Sequence, residues 1–319
     1  MFKQERYTFV DVVSLIFLVI LSFGNFVGSL YLSSNILIAG MVALLLFLCY
    51  YAIIELLKRS KQTIVTKHYR TPLSILFVFF FVLAMVSAVF VSHAINVETN
   101  VKEQVQAEVQ EKTDKVEALL PLYQRETENS IKNFDAQLSQ KIRDYRAGKD
   151  SQLRRELLEP PYEVDGEMLD NPKTYLVGDI VVGKIEGIRR GTKEKDSLLI
   201  NREIRIAKVY KENFMNWNRR KVATDYKELN HFVQESYDKV NELLTTLPIP
   251  PKEKLSLDIG NEQLPLDNFL ELNKRYPPNY LLIVGVFVII HFFILIPYFL
   301  YKVRAYNTKQ ETDRRIKEY

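Results

Sequence analysis

Four histidines, a glycine-punctuated stretch and many carboxylates are the residues of this chain whose types could support chemistry. The histidines are His68, His93, His231 and His291. A metal site or a nucleophilic centre needs such groups at close, defined spacing. The sequence holds no H-E-x-x-H, no C-x-x-C and no G-x-S-x-G. His68 falls in a polar loop, His93 at the edge of an apolar run, His231 in an amphipathic stretch and His291 in the middle of another apolar run, so they are not expected to converge. The stretch 175–188, YLVGDIVVGKIEGI, carries Gly178, Gly183 and Gly187 but matches neither G-x-G-x-x-G nor G-x-x-x-x-G-K-[ST]. The basic run Arg189, Arg190 and Lys193 around Gly191 is expected to be a solvated turn. The carboxylates alternate with Lys and Arg, the pattern of solvated helix faces. No enzymatic activity, no cofactor and no metal are expected.

The elements that would hold these residues are set by hydropathy. Apolar runs cover 12–32, 36–57, 72–95 and 279–301 of the 319 residues. Each is about 20 residues long, enough to cross ~30 Å of hydrocarbon. The first run could pass for a secretory signal, but it is long and no A-x-A-like site follows, so a retained anchor is expected. The short link Ser33, Ser34, Asn35 makes the first two runs an antiparallel hairpin. The segment 58–71 carries Lys58, Arg59, Lys61, Lys67 and Arg70 and no acid, and the segment 302–319 is also basic. Between 96 and 278 lie 30 Lys+Arg and 33 Asp+Glu, so the excess of basic residues sits beside the membrane runs. By the positive-inside rule both termini and 58–71 are cytoplasmic, and 96–278 is extracytoplasmic. The single cysteine, Cys49, lies within an apolar run, so no disulfide can staple the outer segment. With no N-x-S/T acceptor present, a bacterial inner membrane with 96–278 in the periplasm is the expected setting.

Few polar groups lie inside the runs. Gly24 and Gly28 form a G-x-x-x-G pair with Asn25 beside them, a candidate helix-packing face across which Asn25 could hydrogen-bond. His291 has no charged residue at similar depth and is expected to be a neutral, hydrogen-bonded packing residue. Pro297 is placed to kink the fourth run. Asp11 and Glu55 fall at the cytoplasmic edge, outside any proton path.

The outer segment is mostly helical by spacing. Val97, Val101, Val105 and Val109 recur every four residues, which continues the third run outward as a helix and makes a candidate oligomer or partner stripe. Ile131, Phe134, Leu138, Ile142 and Tyr145 follow at heptad-like intervals, as a short coiled coil or as an amphipathic helix packed on its own domain. Pro160 and Pro161 end that section. The stretch 175–188 is expected to form one or two short strands, because β-branched residues alternate with glycines. Helical spacing returns over 196–247, as one long helix or as two with a break near 219–221, and Pro248, Pro250 and Pro251 stop it. Phe214, Trp217, Tyr226, Phe232 and Tyr237 beside Arg219, Arg220 and Lys221 resemble a nucleic-acid stacking surface, but a core helix with a basic outer face fits the location better, and no nucleic-acid partner is expected.

The fold class expected is therefore mainly α: a polytopic membrane protein with four transmembrane helices and a mostly helical extracytoplasmic domain containing a small β element. Three runs ending near Ile95, a helical outer segment and a fourth run with a short basic tail resemble TssN, a membrane component of the type VI secretion system of Bacteroidota. The resemblance is one of architecture, and no motif carries a site residue across. It implies a trans-envelope complex with other secretion components and a baseplate contact on the cytoplasmic side. The function expected is a structural or assembly role through protein–protein contacts, with the bilayer, copies of the chain and other envelope proteins as partners. An extracytoplasmic sensor working through a separate cytoplasmic protein, or an oligomeric channel or effector, are the alternatives.

Overall fold

The computed structural model describes residues 9–62, 70–256 and 263–300. The basic tail 302–319, the first eight residues and 63–69 of the basic loop lie outside the described residues. The described chain is mainly helical, and its residues divide into two compact units.

The first unit comprises residues 1–105, 217–226 and 264–319. Its frame is four long apolar helices: α1 (Phe9–Ser33), α2 (Ile36–Gln62), α3 (Arg70–Asn96) and α12 (Tyr280–Leu300). All four are long and apolar enough to cross a membrane. The turn between α1 and α2 is closed chemically. Ser34 adopts a left-handed φ of 52°, and the Asn35 carboxamide oxygen accepts from the Leu37 and Ile38 amides at 2.9 and 3.3 Å. Leu18, Leu21, Tyr50, Ile54, Phe80, Val91, Ile290 and Ile294 fill the space between the helices. The outward sides of these helices keep their leucines, valines and phenylalanines exposed, as suits a helix that crosses a membrane.

The third helix does not stop where its apolar run ends. It passes through a π turn, Val97–Val101, into α4, Lys102–Glu117. A four-residue repeat on an α-helix drifts by about 40° per step. The wider turn takes back part of that drift. Val97, Val101, Val105 and Val109 are accordingly all fully buried within the chain. The stripe expected to face a partner is thus covered by the chain's own fold.

The second unit comprises residues 106–216 and 227–263. Its principal helices are α5 (Leu119–Gly148), α8 (Val177–Met215) and α10 (Leu229–Thr245). The short α6 (Ser151–Leu158) and α7 (Gly166–Asp170) fold back on them. Pro121 falls in the first turn of α5, where its missing N–H has no intrahelical partner to lose. Phe134, Leu138, Ile142 and Tyr145 are buried in one core with Leu157, Tyr162, Leu169, Ile180 and Val181. The heptad-like run is therefore an amphipathic helix packed on its own unit. Replacing Leu138, which is fully buried, by alanine should lower stability by about 2–5 kcal/mol. Chemical unfolding followed by circular dichroism checks this, and an effect below ~1 kcal/mol would contradict the core assignment.

The strands expected over 175–188 are not formed. From Val177 onward this stretch is the start of α8, and no strand occurs among the described residues. The controlling pattern is i, i+3, i+4: Ile180 and Val181 are buried, and Val177, Ile185 and Ile188 pack partly against the same core. Cβ atoms on Gly178, Gly183 and Gly187 would meet nothing within 4 Å, so these glycines occupy the open side of the helix. Their helix penalty, about 1 kcal/mol each, is offset by burial of the apolar face.

Candidate functional site

Gly24, Asn25 and Gly28 come together against α3. A Cβ on Gly28 would lie 1.9 Å from the Phe90 carbonyl oxygen, and one on Gly24 3.1 Å from a Val91 methyl carbon. At Gly28 the two backbones touch, which is what small residues at this spacing permit in a membrane helix. Asn25 Nδ2 donates to Ser87 Oγ at 3.2 Å.

Across the bundle, the Tyr50 phenol of α2 pairs with His291 of α12. Tyr50 Oη lies 2.9 Å from His291 Nε2, and His291 Nδ1 lies 2.9 Å from the Phe287 carbonyl oxygen. A carbonyl only accepts, so Nδ1 carries the ring proton, and in the neutral ring Nε2 accepts from Tyr50. Two polar pairs thus cross the bundle, Asn25 donating to Ser87 and Tyr50 donating to His291. One side chain comes from each of the four spanning helices. Phe80 and Phe287 enclose the imidazole, with ring centroids 5.8 and 3.9 Å away.

No protein-family model, curated protein or solved structure matches this chain.

The contacts themselves therefore carry the functional argument. Replacing Tyr50 by phenylalanine removes the donor to His291 while keeping the ring. Hydrogen bonds between membrane helices contribute roughly 0.6–1.7 kcal/mol. A thermal unfolding midpoint lowered by a few degrees is expected in detergent, and an unchanged midpoint would contradict a structural role for the Tyr50–His291 bond.

A second polar cluster lies just beyond the apolar length of α3. Glu98, in the π turn, accepts from Tyr31 Oη at 2.7 Å and from Arg219 Nε and Nη2 at 2.6 and 3.2 Å. Tyr31 is near the end of α1, and Arg219 opens α9 (Arg219–Asp225). Burial pushes the Glu98 carboxyl up, but the bonds from Arg219 and Tyr31 outweigh it and hold the group below the usual glutamate range. Trp217 sits at a left-handed φ of 49° with Lys102 Nζ 5.5 Å from its ring centre. A bulky residue in this region carries roughly 1–3 kcal/mol of backbone strain, so the cluster is held by its surroundings. Beside it, His93 Nε2 is 2.9 Å from the Leu266 carbonyl oxygen. Asn96 Nδ2 donates to Asn273 Oδ1 at 2.7 Å and to the Tyr276 carbonyl at 3.0 Å, which ties α3 to α11 (Phe269–Arg275).

The opposite end of the bundle is closed by charge. Lys58 Nζ lies 2.7 Å from Asp11 Oδ1 and 3.6 Å from Glu55 Oε2. Ser14 Oγ donates to the Ile294 carbonyl at 2.8 Å, one turn before Pro297. Pro297 has no N–H to give to the Phe293 carbonyl one turn back, and the Ser14 bond to the neighbouring Ile294 carbonyl ties α1 to α12 beside that gap. Among the described residues no three His, Cys, Asp or Glu side chains stand close enough to hold a metal ion.

Sequence reasoning found the α1 packing face and His291. It missed Tyr50, Ser87, Glu98 and Arg219. Serine and tyrosine are unremarkable in a membrane run, and Glu98 and Arg219 are 121 positions apart. The one available signal was Glu98 itself, an acid within the valine stripe.

Proposed function

We propose that this chain is a structural, assembly component of a bacterial inner-membrane complex. In this reading 96–278 is periplasmic, both ends are cytoplasmic, and the activity is positioning through protein–protein contacts. The observation that carries it is the use made of the polar groups within the four apolar helices. Asn25 bonds Ser87 between α1 and α3, and Tyr50 bonds His291 between α2 and α12. Polar groups arranged in this way fix helix register and leave the bundle as a rigid anchor. The distribution of Lys and Arg beside the apolar runs supports the orientation. The architectural resemblance to TssN gives the specific form of the proposal: a trans-envelope type VI secretion complex, with other envelope components and further copies of the chain as partners. Because Val97, Val101, Val105 and Val109 are buried, the partner contacts belong on other, exposed faces. Mild detergent extraction from the native cell, followed by mass spectrometry of co-purifying proteins, tests this. Copies of the chain together with envelope proteins are expected. A lone monomer under mild conditions would overturn the proposal.

A further inference from the structure

A groove of about 940 Å³ runs along α5 in the second unit. One wall is α5 itself. Asn129, Asn133 and Gln137 recur on it at intervals of four and are exposed. With Arg125 at the near end, this helix face extends for about 18 Å at 1.5 Å per residue. The other wall is the segment that leaves α10, and it is pinned at both ends. Ser130 Oγ donates to the Ile249 carbonyl at 2.7 Å. Asn241 donates to the Leu255 carbonyl at 3.0 Å and accepts from the Leu255 amide at 2.8 Å. Pro250 and Pro251 stiffen the chain between these anchors. Lys252 and Lys254 are thereby held over α5 and not left on a free loop.

The groove is rich in unused donors. Among the described residues no acceptor or carboxylate is bonded to Lys132, Lys252 or Lys254, nor is any partner bonded to the Asn129 and Asn133 carboxamides. Gln137 uses only its oxygen, which accepts from Tyr162 Oη at 3.0 Å. Glu126 is matched by Arg125 at 3.1 Å, leaving Glu253 as the other acid against three lysines. Such a lining complements an extended ligand that carries many oxygen acceptors and spaced negative charges. Carboxamides bond hydroxyls both as donors and as acceptors, and lysines meet carboxylates. A peptide added as a strand would need a sheet edge, and no strand occurs among the described residues. A single-stranded nucleic acid would need exposed aromatic faces, whereas Tyr237, the aromatic residue of the lining, is buried. We propose that this groove binds a linear acidic polysaccharide, with Lys132, Lys252 and Lys254 on its carboxylates and Asn129, Asn133 and Gln137 on its hydroxyls. This rests on the groove alone, and its failure would leave the assembly proposal untouched.

The test uses the full chain in detergent, a hexameric polyuronate as the probe, and titration calorimetry at moderate salt. Saturable binding is expected. The pair Lys132→Glu and Lys252→Glu should weaken it by at least about tenfold. Asn133→Leu, which leaves the charge unchanged, should weaken it by roughly threefold or more. The pair Lys173→Glu and Lys208→Glu makes the same charge change on exposed residues outside the groove and should alter binding by less than about twofold. The proposal is overturned by an absence of saturable binding or by equal losses in the two lysine pairs. Tighter binding of a polyglutamate peptide or a single-stranded oligonucleotide than of the polyuronate overturns it as well.

Discussion

Replacing Gly28 by alanine is expected to be the most damaging single-methyl change in the membrane bundle. The new carbon would sit 1.9 Å from a backbone oxygen of Phe90, and a backbone cannot rotate away as a side chain can. The helices must separate, which also stretches the Asn25–Ser87 bond beside them. Overpacking typically costs about 1–3 kcal/mol and occasionally more, and this contact belongs at the upper end. Two other glycines calibrate the result. A Cβ on Gly24 meets only a Val91 methyl at 3.1 Å, which can shift, and one on Gly285 meets nothing within 4 Å. The predicted order of destabilisation is Gly28→Ala, then Gly24→Ala, then Gly285→Ala with almost no effect. Cys49 is the only cysteine of the chain and lies within α2. Its reaction with a maleimide dye during heating in detergent reports unfolding of the bundle. Equal midpoints for the Gly28 and Gly285 variants would contradict the packing described.

Loss of the Glu98 carboxylate is the second large effect. Tyr31 and Arg219 both donate to it, and hydrogen bonds to a charged group contribute about 1.5–3 kcal/mol each. Glu98→Ala should therefore destabilise the first unit by roughly 2–4 kcal/mol, with exposure of the cluster to solvent at the lower end of that range. The pH dependence has a definite sign. The folded carboxyl titrates below its ordinary range because of Arg219 and Tyr31. Its contribution is thus full above the unfolded value, about 4.3, and is lost as the pH falls through the lower folded value. Trp217, the only tryptophan of the chain, stands at this cluster and reports on it by fluorescence. The stability difference between the natural chain and Glu98→Gln should be constant from pH 6 to 8 and vanish below the ordinary glutamate range. A difference that grew on acidification would reverse the assignment.

Much of the architecture was legible in the sequence because it depends on local period and composition. The four apolar runs agree with α1, α2, α3 and α12 to within a few residues. Of the two arrangements open for 196–247, the broken one forms, with the break at 216–218, where Trp217 turns left-handed and Asn218 caps α9. The error at 175–188 came from weighing residue type above period. Val, Ile and Gly suit strands, but Val177, Ile180, Val181, Ile185 and Ile188 line one face of a helix. The valine stripe was located correctly as a helical face, yet its occupant could not be read, since a buried face looks the same whether a partner or the chain itself covers it. Tyr31, Glu98 and Arg219 were out of reach for another reason. Their meeting is set by how α1, the π turn and the start of α9 pack, and no sequence interval encodes that.

The proposed role depends first on which side of the membrane carries the segment between α3 and α12. Single-cysteine labelling addresses it directly. Cys49 is replaced by alanine, and Lys173→Cys or Lys208→Cys is introduced at exposed positions of the second unit. Intact cells are treated with a maleimide that cannot cross the inner membrane. Labelling of both positions before lysis is the predicted result. Labelling of either position only after the inner membrane is broken would contradict the account.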